Sequence, residues 1–281
     1  QINEETSGVF KAGYGMGDAY PEAEDYIKAY IRSNTIQKYV ELVRNAKSRL
    51  TIPVIASVNC FSGGEWVSFA RQLEEAGADA LELNVFILPV NEFKESAEVE
   101  NVYFEIVKSI KSQIKIPVSV KISHYFTNLS AFVDKIKAYG ANATTLFNRF
   151  YEPDININTL EMGAASVFST AAELRTTLRW TGILAGKDKR LEISASTGVH
   201  GGEATVKLLL AGATTVQVCS VLYEKGIHVI EDINNFIGKW MDSKAFKTIE
   251  DYRGMLSYSS IENPDLYERA QFMKYFSNKQ Y

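Results

Sequence analysis

Three asparagines and a lysine close short apolar runs in this chain of 281 residues: Asn59 ends VIASVN, Asn84 ends ALELN, Asn148 ends ATTLFN, and Lys121 stands near the end of PVSVKI. An asparagine amide donates and accepts at once, which suits a planar heterocycle with alternating N–H and C=O groups. A lysine at such a place can hold negative charge developing on a ring, or form a Schiff base with a carbonyl. One such asparagine usually just satisfies loop backbone, but three with a lysine favour a site. A second signal lies in LEISASTGVHGGEATVKLLLAGATTVQVCSVL, residues 191–222. Two turns of small residues, Ser196-Thr197-Gly198 and Cys219-Ser220, follow two apolar runs there. Backbone N–H groups can approach a phosphate at such turns, and a helix N-terminus adds its dipole.

Alternating strands and helices must position these residues. Strands are expected at 54–59, 80–85, 117–122, 143–148, 191–195 and 214–218. Helices are expected at about 22–32, 36–49, 63–78, 99–113, 129–139, 170–184, 202–211, 226–241, 247–256 and 264–276. Trp66, Phe69, Ala70 and Leu73 share one helical face. The alternation predicts a parallel sheet with right-handed crossovers. Three crossovers repeat one turn, Ala-Gly-Ala or Tyr-Gly-Ala at 76–78, 139–141 and 211–213, with the glycine as helix C-cap. Equivalent units favour a TIM (β/α)8 barrel, in which the loops after strands 7 and 8 commonly bind phosphate. Six strands follow residue 50, so by this count the first two strands of the barrel are missing from the chain. The Gly-rich stretch 8–21 does not supply them, and a start at Gln1 rather than Met agrees with an absent N-terminal unit. One domain over 1–281 is expected, with C-terminal helices from about 242 packed on it and Met273, Tyr275 and Phe276 filling a groove.

Composition narrows the function. The net charge of −4 with scattered basic residues gives no basis for nucleic acid or an anionic membrane as partner. No run is long and apolar enough to span a bilayer. Cys60 and Cys219 are expected to be free thiols in a reducing, cytoplasmic setting. No Cys-x-x-Cys or His-x-x-x-His spacing occurs among these cysteines and His124, His200 and His228, so no metal is expected.

The same positions carry a resemblance. VIASVN, GADALELNVFILP, IPVSVKIS, TTLFNRF and ISASTGVHGGEATVKLLLAGATTVQVCSVL, together with the late TIEDYRGML, are similar in order and spacing to the dihydroorotate dehydrogenase family of FMN flavoproteins over about residues 50–260. The resemblance implies FMN at the C-terminal mouth of the barrel. It places Lys121 against the flavin, Asn59 near its ring system, and Asn84 and Asn148 beside both flavin and a dihydropyrimidine-like substrate. Ser196, Thr197 and Gly198 would form one half of the phosphate cradle, Cys219 and Ser220 the other. Family members are often dimers, so a homodimer is plausible.

The chain also departs from the family. A Ser or Cys base is expected after the Leu-Asn strand end, but Val85-Phe86-Ile87-Leu88-Pro89 offers Ile87 there. Proton abstraction needs a titratable group within reach, so no catalytic base is assigned; His124 is a weak candidate. Asn91 is shifted from the family's asparagine. Asp18, in the upstream substrate loop, would disfavour an anionic substrate such as orotate. An FMN oxidoreductase is the first reading. A non-catalytic relative that binds a ligand or partner subunit is the second, and a phosphate-binding Schiff-base aldolase using Lys121 the third.

Overall fold

Each of the six apolar runs becomes a strand of one six-stranded sheet. The computed structural model describes residues 21–59, 63–188 and 191–269. Elements in chain order are α1 (Pro21–Arg49), β1 (Ile55–Val58), α2 (Gly63–Glu75), β2 (Ala80–Asn84), α3 (Ser96–Lys111), β3 (Val118–Ile122), α4 (Leu129–Ala138), β4 (Ala143–Leu146), β5 (Pro153–Asn156), β6 (Glu161–Ala164), α5 (Leu174–Lys187), β7 (Glu192–Ala195), α6 (Gly202–Ala211), β8 (Thr215–Val216), α7 (Ser220–Lys225), α8 (Val229–Lys244) and α9 (Asp265–Glu268). The sheet order is β1-β2-β3-β4-β7-β8, while β5 and β6 form a separate antiparallel hairpin. This is the α/β barrel class expected from the alternation.

Five features differ from expectation, one of them the helix expected at 264–276, which ends at Glu268 with Arg269 extended. The segments 22–32 and 36–49 form the single helix α1. Residues 247–256 contain only a 3-10 turn at Ile249–Asp251, closed by a capping box between Thr248 and Asp251. The hairpin 153–164 escaped detection because all eight of its strand residues are exposed, so it lacks the alternation that marks a half-buried strand. The short helix α7 was also missed. The Gly-rich stretch 8–20, Asp18, Cys60, Met273, Tyr275 and Phe276 lie outside the described residues.

The chain forms two compact units, Gln1–Leu81 with Ser109–Pro117, and Glu82–Lys108 with Val118–Tyr281. In the first, α2 buries Trp66, Ala70 and Leu73, spacings that fall on one helical face. Tyr39 and Phe69 meet edge to face at 5.8 Å, and the Tyr39 hydroxyl donates to the Ser57 carbonyl at 2.9 Å. The Asp79 carboxylate accepts from Lys47 Nζ at 2.6 and 2.7 Å and from the Val54 N–H at 2.7 Å, tying α1 to the segments before β1 and β2.

In the second unit, Val118, Val120 and Ile122 are fully buried on one face of β3. Tyr103, Phe104, Phe126 and Phe132 form an aromatic cluster with centroids 3.7–5.6 Å apart. β3–β4, β4–β7 and β7–β8 pair parallel, with Lys121 opposite Thr145, Thr145 opposite Ser194, and Ser194 opposite Thr215. That register brings the ends of four strands to one edge.

The three predicted glycine turns share one geometry. Gly77, Gly140 and Gly212 have φ of 94°, 111° and 116°. In each, the following alanine N–H reaches five residues back (Leu73, Ile136, Leu208) and the glycine N–H three residues back (Glu74, Lys137, Leu209). This paired bonding satisfies the last helical carbonyls, and the left-handed conformation suits glycine. Among the described residues, no helix is long and apolar enough to cross a membrane.

Asp79 yields a pH prediction. Its bonds to Lys47 and then to Val54 hold its carboxyl below the ordinary value. The stabilisation is present above the unfolded-state value of about 3.9 and is lost as pH falls through the lower folded-state value. Asp79→Asn is expected to lower the melting temperature near neutrality and to flatten its acid dependence. Identical acid limbs in the two proteins would refute this.

Candidate functional site

A buried polar network stands at the C-terminal edge of the sheet. Glu82, from β2, is 5 % exposed. Its Oε2 accepts from the Thr145 hydroxyl at 2.8 Å and from Gln217 Nε2 at 2.6 Å. Lys121 Nζ lies 3.6 Å from Glu82 Oε1 and donates to Gln217 Oε1 at 3.2 Å. A carboxylate removed from water needs such partners, because its desolvation costs several kcal/mol. The lysine is therefore held as a fixed positive charge at the strand end. Glu82 and Gln217 were not singled out in the sequence. The signal was there: each is a polar residue inside an apolar run, ALELN and TTVQV.

The asparagines divide. Asn148 Nδ2 donates to Asn84 Oδ1 at 2.7 Å, so these two side chains form one amide pair. The Asn148 N–H donates to the Ile122 carbonyl at 2.8 Å, which sets it beside the end of β3. Asn59 belongs to the first unit and is exposed.

The two small-residue turns lie on either side of one cavity of about 220 Å³. Its wall includes Lys121, Asn148, Ser196, Thr197, Gly198, Gln217, Cys219 and Ser220. Thr197 and Gly198 have φ of 80° and 77°, a conformation costly for a β-branched residue. Two bonds hold it: the Thr197 hydroxyl donates to the Phe147 carbonyl at 3.0 Å, and the Thr177 hydroxyl to the Ser196 carbonyl at 2.8 Å. A Cβ on residue 198 would collide with the Leu174 nitrogen, so only glycine lets α5 start this close to the turn. The Ser220 hydroxyl is engaged by Ser169, whose N–H and hydroxyl donate to it at 3.0 and 3.1 Å. Ser169 was not anticipated; nothing in its local sequence marks it. Cys219 is an exposed free thiol.

A second cavity of about 370 Å³ shares Phe147, Asn148, Arg149 and Thr197 with the first. Its walls also carry Phe86, His124, Tyr125 and Phe150. Together the two reach the size range of cofactor and substrate sites. His124 lies 4.3 Å from the Tyr125 ring and 5.8 Å from that of Phe147, and burial pushes its pKa down. Ile87 faces a different cavity, with Asn91, Tyr103 and Ser123. Burial raises the Tyr103 phenol to about 12, which keeps it protonated.

Fold and edge define a class: α/β barrel proteins with turns of small residues and a charged lysine at the C-terminal ends of their strands. The family model for dihydroorotate dehydrogenase matches residues 31–241. The chain belongs to the dihydroorotate dehydrogenase family. It is 29% identical over 249 residues to the dihydroorotate dehydrogenase B (NAD(+)) catalytic subunit of Thermoplasma acidophilum, covering 86% of this chain and 81% of that one. The corresponding Thermoplasma volcanium subunit is 27% identical over 264 residues, covering 86% and 83%. The crystal structure of an Eimeria tenella dihydroorotate dehydrogenase in complex with ferulenol superposes with a TM-score of 0.62 at 14% identity, over 78% of this chain and 67% of that one.

Removing Lys121 takes away a cation 3.6 Å from the buried Glu82 carboxylate. Lys121→Met is expected to cost about 3–5 kcal/mol in urea denaturation. Lys121→Met combined with Glu82→Gln should cost less than the sum of the single changes. Strict additivity would show that the two groups do not interact.

Proposed function

We propose that this protein is an FMN-dependent oxidoreductase of the dihydroorotate dehydrogenase family, acting on a dihydropyrimidine-like or similar ring substrate. The observation that carries the proposal is the fixed Lys121 charge beside a cradle of small residues. The cradle suits the cofactor's phosphate: Ser196 and Ser220 carry hydroxyls, and two consecutive residues, Thr197 and Gly198, adopt left-handed backbone. FMN, when bound, supplies the acceptor or donor of hydride.

The chain's own residues do the rest. Lys121 offers positive charge where negative charge develops, and its bonds to Glu82 and Gln217 fix its position before reaction, which avoids reorganisation. The same bonds suit a fixed charge better than an amine that must leave its partners to attack a carbonyl. Asn148, paired with Asn84, offers an uncharged donor and acceptor to a ring. Ile87 supplies no base, so the proton must move through another group. His124, kept neutral by its surroundings, can accept one and lines the substrate-side cavity.

The purified protein should be yellow and release FMN on denaturation. Gly198→Ala, with its Cβ against Leu174, should lower flavin content several-fold and cost about 1 kcal/mol or more in stability. A folded, colourless protein that takes up no added FMN would defeat the proposal. Reduction of the flavin by dihydroorotate, slowed in Lys121→Ala, would exclude a purely binding role.

A further inference from the structure

The larger cavity has a chemistry of its own. Phe86 and Phe150 lie 4.2 Å apart, Tyr125 stacks on Phe150 at 5.2 Å and 24°, and His124 adjoins Tyr125. Phe86 and Tyr125 are 43 % and 53 % exposed, so aromatic surface at the mouth stays wet until a ligand covers it. Flat faces of this kind select flat partners.

The charges beside them select against anions. Among the described residues of this wall, Arg149 is the one fixed cation. Its guanidinium is already committed: Nε donates to Glu173 at 3.1 Å, Nη2 to Glu152 at 3.3 Å, and Nη1 to the Val167 carbonyl at 2.9 Å. Glu173 is itself pinned, accepting from the Thr170 N–H at 2.6 Å. Among the described residues of this wall, two carboxylates face one guanidinium, a net negative balance. An incoming carboxylate would meet Glu152 and Glu173 beside the N–H groups left on Arg149, against like charge. The wall also offers uncharged polar groups, among them the Asn148 amide, held by Asn84, and the Thr176 and Thr197 side chains.

We infer that this pocket takes an uncharged planar ring bearing an amide or carbonyl, and discriminates against the carboxylate form of the same ring. This rests on the reading above only in treating the pocket as the substrate's.

Two matched pairs of probes test it: orotate against orotamide, and benzoate against benzamide. Each is titrated calorimetrically into the protein as purified. The amides are expected to bind at least about ten-fold more tightly than the acids. Phe150→Ala should weaken both amides by about ten-fold. Glu173→Gln, which frees Arg149, should strengthen the acids and narrow the gap, with thermal melting confirming that each variant is folded. Acids that bind as tightly as their amides, or amides that do not bind, overturn the inference. A protein without flavin that still prefers the amides defeats the oxidoreductase reading and leaves this one standing. A flavin-loaded protein that prefers orotate does the reverse.

Discussion

A carboxylate buried inside a sheet must be neutralised where it stands, and Glu82 imposes that constraint on the second unit. Three further strands or strand ends answer it: Lys121 from β3, Thr145 from β4 and Gln217 after β8. The parallel register that aligns Lys121 with Thr145 is what lets one carboxylate reach all three. The cradle turns begin one or two residues beyond this layer. The charge compensation and the binding edge are therefore one arrangement: a slip of one residue in any of these strands would break the network and turn the strand's outer residues away from the cavity.

The strands were legible because each is a short apolar run bounded by turns, and the glycine turns because their residues repeat. The parts that were not legible share a cause. The 153–164 hairpin buries nothing in this chain, so it carries no periodicity. The polar layer of Glu82 and Gln217 sits at positions that pattern reading assigns to the core. Ser169 meets Ser220 across 51 positions of sequence, a contact visible only after folding. Of the site residues, Asn84, Lys121, Asn148 and the two small-residue turns fall in the second unit, because each closes a strand or lies just past its end at the same edge. Asn59 has the same local sequence logic but belongs to the first unit.

The absence of a base at Ile87 and the occupied state of Arg149 point the same way. A site built for an acidic ring needs a cation free to receive the acid, and chemistry at carbon needs a group to take the proton. Under the proposed reading, this chain keeps the parts that would serve a cofactor's phosphate and charge, and differs in those that would face a substrate. That division is physical: the cradle is backbone and small hydroxyls, whereas the substrate wall is large side chains on loops, which can change with little effect on the sheet.

The three glycine turns have a consequence for how such a protein can vary. Each is locked by the same pair of backbone bonds and the same left-handed residue, and in the second unit Gly140 and Gly212 precede β4 and β8, at the edge opposite the cavity. Their lengths cannot change without unseating a helix from its strand. The loops at the other edge obey no such rule: one has grown an entire exposed hairpin. One rim of the second unit thus behaves as a hinge-free chassis of fixed gauge, and the other as a set of interchangeable attachments. New specificity can be grafted onto the second rim while the first goes on dictating how each strand and helix are spaced.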